Sequence, residues 1–318
     1  LRALACLNVF FGHWFLIACA PPAPAQHYWD YALRTIVTFS PWSGVWMFFT
    51  LSGYLMTKGF VSGRHSLDNF GILRFYRNRV LRIFPVYLFC IFIVGIIVAP
   101  KALNIFDRNA LVGLFNSFLF DQSGGGIIGA YWSVSTEVQF YLIAPLVAIL
   151  LLTFVRSVKA LLLFVVTLLI VFSMTKMYMV QFYPSTWSHY VYNALFSNLD
   201  CFLSGAVTAI LVNKMRHSKK YITNGIWWGT IVMIVTQVVV SLWSYPTMVS
   251  YPGFPGSHSR VFYLAMVPGA TVLLTSSAIF LFVTAKRDNL LYPSIWKVST
   301  SFGTITSCFF SIHEPVIT

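Results

Sequence analysis

Apolar residues in this chain run together in long blocks separated by short polar connections, without the alternation of a half-buried strand or the stripe of a surface helix. A block near 20 residues is what an α-helix needs to cross about 30 Å of hydrocarbon. Such blocks lie at about 1–20, 42–60, 83–100, 131–152, 157–180, 196–213, 223–243, 261–284 and 298–318, predicting nine helical spans. The shorter mixed stretch Asn109–Phe120 is predicted to be interfacial or re-entrant, because an extra crossing there would invert the charge pattern of every later connection. No soluble domain, low-complexity tail or internal repeat interrupts the pattern, so residues 1–318 read as one membrane-embedded domain. The chain starts without methionine and stops inside an apolar run; it is read as trimmed at both ends, with nine spans as a lower bound.

Composition agrees with the pattern: 58% of residues are hydrophobic and 9% charged, where soluble domains carry about a quarter charged. The net charge of +13 would suit a nucleic-acid partner, but the basic residues fall in the connections, where the positive-inside rule places them, and no nucleic acid is expected. Lys58, Arg64, Arg74, Arg77, Arg79 and Arg82 precede the third span; Arg156 and Lys159, then Lys214, Arg216, Lys219 and Lys220, then Lys286, Arg287 and Lys297 occupy alternate connections. The intervening connections hold only Arg34, Lys101, Arg108, Lys176 and Arg260, which puts the start of the chain on the cytoplasmic side. A rival reading takes the first block as a cleaved signal peptide, with Arg2 ahead of an apolar core and LIAC at 16–19. Five cysteines, at 6, 19, 90, 201 and 308, share no metal spacing and read as packing residues; no metal site is expected.

An ionisable group inside a span is costly and is a functional candidate by default. Arg2 and His13, eleven residues apart, fall on nearly the same helix face about 16 Å from each other. With Arg2 at the cytoplasmic boundary, His13 falls near mid-membrane, as a packed imidazole or as a proton-transfer group. Glu137, in YWSVSTEVQFYLIAPL, has Ser133 one turn before it and Tyr141 one turn after, and needs a polar partner, as a catalyst or as a helix-pairing group. Arg79 and Arg82 in FYRNRVLRIFPVY share a helix face, as topology determinants or as a two-arginine grip on a phosphate-bearing ligand. Ser52 and Gly53 in MFFTLSGYLM suit close helix packing. Asp200 in NLDCFLSG, and His313 and Glu314 in IHEPV, are further polar candidates.

In this order the segments resemble the integral-membrane acyltransferase 3 family. LRALACLNVFFGH is similar to its arginine, ten residues, histidine motif; FFTLSGYLM to its FFxLSGF segment; RNRVLRIFPVY to its RxxR followed by proline and an aromatic. WSVSTEVQFYLIAPL resembles WSLxxExxFYLxxP, NLDCFLSG its DxFxxG pattern, and SIHEPV its closing YLxHxP, so the resemblance spans essentially the whole chain. Thr136 and Val138 beside Glu137, and Ser311 and Ile312 in place of Tyr-Leu, depart from the pattern.

The resemblance implies an all-α, polytopic bundle of about nine to ten transmembrane helices in a bacterial inner membrane. It implies transfer of an acyl group, acetyl first among the choices, from cytoplasmic acyl-CoA to a hydroxyl of a cell-surface carbohydrate or lipid-linked acceptor, with no bound cofactor. In that chemistry His13 is general base or acyl relay, Glu137 its orienting acid, Arg79 and Arg82 the donor-phosphate grip, and Arg2, Asp200 and His313 substrate contacts. The rival class is a transporter or flippase of a glycan or lipid. Transporters often place broken helices at corresponding positions of two halves, and the charged motifs of the first half have no counterparts in the second.

Overall fold

The computed structural model describes residues 1–18, 41–97, 100–104, 106–118, 132–154, 157–183, 194–217, 222, 224–249 and 258–284. These form nine α-helices and one 3₁₀ turn: α1 (Arg2–Ala18), α2 (Pro41–Val61), α3 (Asn69–Ile97), the turn Pro100–Leu103, α4 (Arg108–Phe118), α5 (Trp132–Phe154), α6 (Val158–Phe182), α7 (Leu195–His217), α8 (Gly225–Val249) and α9 (His258–Thr284). Helix is the expected solution for an apolar chain, since each backbone N–H and C=O is satisfied within its own segment. Among the described residues five stretches, Asn69–Ile97, Trp132–Thr153, Val158–Phe182, Leu195–Met215 and Met266–Thr284, are long and apolar enough to cross a membrane. The described part of α4 is short, about 16 Å by its eleven residues, and the chain that follows it lies outside the described residues. The block at 298–318 lies outside the described residues.

Two placements differ from the sequence reading. The basic stretch before the third span is not a connection: α3 starts at Asn69 and runs through Arg74, Arg77, Arg79 and Arg82 into its apolar half. Asp68 starts it, accepting the Gly71 N–H at 2.8 Å, and no proline intervenes before Pro85. Lys176 was assigned to an outer connection but is buried within α6, on an ion pair with Asp200 of α7 at 2.7 Å.

Helix α2 is the hub, packing most extensively on α7 and also on α1, α5 and α9. The α2–α7 crossing is close because both sides present glycine. A Cβ on Gly53 would stand 1.9 Å from the Phe202 carbonyl oxygen, and one on Gly205 would stand 2.0 Å from that of Thr50. Beside the crossing, Phe202 stacks on Phe140 of α5 at 4.1 Å between ring centroids and on Phe49 of α2 at 4.8 Å. This aromatic column fixes α2, α5 and α7 around one centre.

Candidate active site

Glu137 occupies the second turn of α5 and is half-buried. Its Oε1 accepts two hydroxyl hydrogen bonds, from Ser52 of α2 and from Tyr141 one turn further along α5. The tight α2–α7 crossing presents Ser52 at this point, because Gly53 must face Phe202. Helical spacing brings Tyr141 under Glu137, since residues four apart share a face.

Arg79 enters the same centre from α3. Its guanidinium lies over the Phe75 ring at 5.3 Å and over the Tyr141 ring at 5.6 Å. Tyr76 ties the two helices together there, donating its hydroxyl to the Leu142 carbonyl at 2.8 Å. Arg2 of α1 stands within electrostatic range of Arg79 and Tyr141. The Nε atoms of Arg2 and Arg79 are buried, and neither has a hydrogen-bond partner among the described residues. Two guanidinium groups are therefore gathered around Tyr141, whose hydroxyl is bound to Glu137. Arg82, expected to grip a ligand together with Arg79, is exposed, whereas Arg79 turns inward.

The depth of this centre follows from helix register. Asn8 donates to the Met47 sulfur at 3.7 Å, Ala5 and Val9 lie against Gly44, and Leu1 packs on the cluster of Leu51 and Tyr54. Hence α1 runs antiparallel to α2, and Arg2 is level with the middle of α2, not with its Lys58 end. The small residues Ala5 and Gly44 set this register, and they draw the start of α1 in against the middle of α2. Arg79 is ten residues into α3, about 15 Å from the 62–68 turn, which matches Ser52 nine residues back along α2.

His13 lies on α1, about 16 Å along the helix from Arg2, with its side chain outside the described residues. Among the described residues Glu137 is hydrogen-bonded by Ser52 and Tyr141, and the expected pairing of Glu137 with His13 lies outside them. Asp200 sits apart from the arginine centre: Oδ2 takes the Lys176 ammonium, and Oδ1 accepts the Cys201 N–H at 2.9 Å. His313 lies outside the described residues. Sequence reasoning set Tyr141 one turn from Glu137 but missed Ser52 as a partner of Glu137 and Lys176 as the partner of Asp200. The signal for Lys176 was a lone charge inside the apolar run LLIVFSMTKMYMV, with an aspartate in the next span to answer it.

Comparison with known proteins gives this centre its context. The profile of the family described as acyltransferase domain matches residues 1–318. The chain belongs to the acyltransferase 3 family. Relatives include a protein of Haemophilus influenzae described as uncharacterized, 28% identical over 197 residues, covering 55% of this chain and 78% of that one. O-acetyltransferase OatA of Staphylococcus aureus is 32% identical over 117 residues, covering 33% of this chain and 19% of OatA's own length. No solved structure matches the chain. The family makes it an acyltransferase, and its long apolar helices make it an integral membrane protein.

Proposed function

We propose that the chain is an O-acyltransferase that moves an acetyl group from acetyl-CoA to a hydroxyl of a carbohydrate or lipid-linked acceptor. The observation that carries this reading is the charge surplus at the centre: two guanidinium groups on different helices, one carboxylate, and two buried Nε donors without acceptors among the described residues. A buried cation without a partner is costly, so the arrangement is suited to an anion that arrives with the substrate. The phosphates of acyl-CoA supply that anion, and guanidinium forks match phosphate oxygens.

The same geometry divides the reaction along α1. Donor phosphates are held at the level of Arg2 and Arg79, with Arg82 nearly one turn further along α3 on its exposed side. His13 lies about 16 Å further along the helix, a separation on the order of an extended pantetheine arm. There it takes the proton of the acceptor hydroxyl as the oxygen attacks the thioester carbonyl; the C–S bond then breaks and CoA leaves as the thiol, taking a proton. Glu137 balances the arginine charge and holds the Ser52 and Tyr141 hydroxyls. Asp200 and His313 are kept as acceptor-side contacts. The excess of basic residues in alternate connections supports a cytoplasmic donor side, and the reading takes nine to ten spans in the inner membrane. OatA, named as an O-acetyltransferase, supports acetyl as the group and oxygen as its destination.

The test is release of free CoA from radiolabelled acetyl-CoA by purified protein in lipid nanodiscs, with surface-glycan extracts as acceptors. Acceptor-dependent release is expected, and no release above protein-free nanodiscs with any hydroxyl acceptor would sink the reading. Arg79→Ala with Arg82→Ala raises the donor KM about tenfold or more, while His13→Ala lowers kcat at least about a hundredfold with donor KM retained. Normal turnover by His13→Ala at equal protein level removes the base assignment.

A further inference from the structure

Tyr141 is the side chain that touches both charges of the centre. Its hydroxyl donates to Glu137, and its ring carries the Arg79 guanidinium at 5.6 Å. It is buried, with 6% of its surface exposed, and so has little freedom to be anywhere else. Phe75 supports the guanidinium at 5.3 Å, so two aromatic rings from two helices contact one cation. A guanidinium over aromatic faces is attracted to the ring quadrupole while its edge N–H donors remain free for other acceptors. Among the described residues no hydrogen bond or ion pair links Glu137 to Arg79 directly; the tyrosine joins them from α5. If Glu137 instead paired directly with Arg79, the carboxylate would occupy the fork that a phosphate needs.

We infer that Tyr141 is a donor-positioning residue: it presents Arg79 to an incoming phosphate by stacking, and it keeps Glu137 engaged through its hydroxyl so that the guanidinium edge stays available. The inference rests on the reading of Arg2 and Arg79 as the phosphate site and deepens it. Three further groups meet Tyr141 and its two partners: Arg2 from α1, Ser52 from α2 and Arg82 from α3. From α7 the aromatic column contributes Phe202. Removing the ring leaves Arg79 with Phe75 alone, whereas removing only the hydroxyl frees Glu137 to compete for the guanidinium.

The experiment is the Kd for CoA, measured by equilibrium dialysis of radiolabelled CoA against purified protein, which needs no acceptor and no turnover. Tyr141→Leu weakens CoA binding about five- to tenfold, and Tyr141→Phe, which keeps the ring and is the safer variant for folding, weakens it about two- to threefold. In an Arg79→Ala background both changes lose their effect, adding less than about twofold, because the tyrosine acts through that arginine. Where acetyl transfer is measured, donor KM follows the same order and kcat moves less than KM. The inference is overturned if Tyr141→Phe binds CoA as wild type does, if the Tyr141 and Arg79 effects multiply as independent sites, or if wild-type protein does not retain CoA. CoA binding with the expected Tyr141 pattern but no acyl transfer sinks the acyltransferase reading and leaves this one. Acyl transfer with CoA binding indifferent to Tyr141 does the reverse.

Discussion

His65 shows how one residue in a turn is governed by its surroundings. It sits between α2 and α3, its ring 5.9 Å from that of Phe60 and 5.6 Å from that of Phe75, with its N–H donated to the Gly59 carbonyl at 3.0 Å. Burial first, then the charges of Arg79, Arg64 and Arg74, lower its proton affinity below the ordinary imidazole value. The unfolded chain binds that proton more readily, so stability rises with pH; the contribution is complete above about pH 6.5 and is lost as the pH falls below it. Melting curves of purified protein between about pH 7.5 and 5.5 test this. The wild type melts lower at the acid end, and His65→Phe, which keeps the ring without the titration, depends less on pH. Equal pH dependence in the two proteins refutes the account. At this scale the sequence displayed the reactive side chains but not their companions. Glu137 called for a partner, and spacing brought Tyr141 close, but only the packing of α2 on α5 supplied Ser52.

Among elements, the α2–α7 crossing and the course of α3 matter most. Gly53 was legible as a close-packing residue because small residues permit helix approach in lipid, and the structure names what approaches: the backbone of Phe202. Gly53→Ala puts a methyl group where a carbonyl oxygen already stands, so the helices must part and the Ser52 hydrogen bond to Glu137 with them. The expected loss is about 1–3 kcal/mol or more of stability, read as a lower temperature of aggregation in detergent by size exclusion. A melting temperature equal to wild type would show that the crossing tolerates separation. The extension of α3 back to Asn69 was not legible from hydropathy, which registers the arginines as a polar break. Arginine is a good helix former, and an uninterrupted helix is what turns Arg79 inward and leaves Arg82 exposed.

For the molecule as a whole, the Lys176–Asp200 pair is a second polar centre, joining α6 to α7, with exposures of 2% and 1%. Removing one member strands the other charge in the bundle at a cost of about 3–5 kcal/mol, whereas replacing both with apolar residues of similar volume is often close to neutral. Lys176→Met therefore sharply lowers the yield of folded protein, and Lys176→Met with Asp200→Leu restores much of it if the pair serves only to hold the helices. Folded double variant with normal acyl transfer removes Asp200 from the substrate contacts; folded double variant without transfer keeps it there. Yield by fluorescence size exclusion and CoA release are the two measurements.

The sequence by itself determined the helical, membrane-embedded class, most helix positions and the family, because block hydropathy and ordered motifs are local properties that need no partner. Tertiary structure decided the register of α1 on α2, the inward turn of Arg79, the capture of Glu137 by Ser52 and Tyr141, and the burial of Lys176 against Asp200. Each of these depends on where small residues let two helices touch, and that is a property of pairs of segments far apart in the chain.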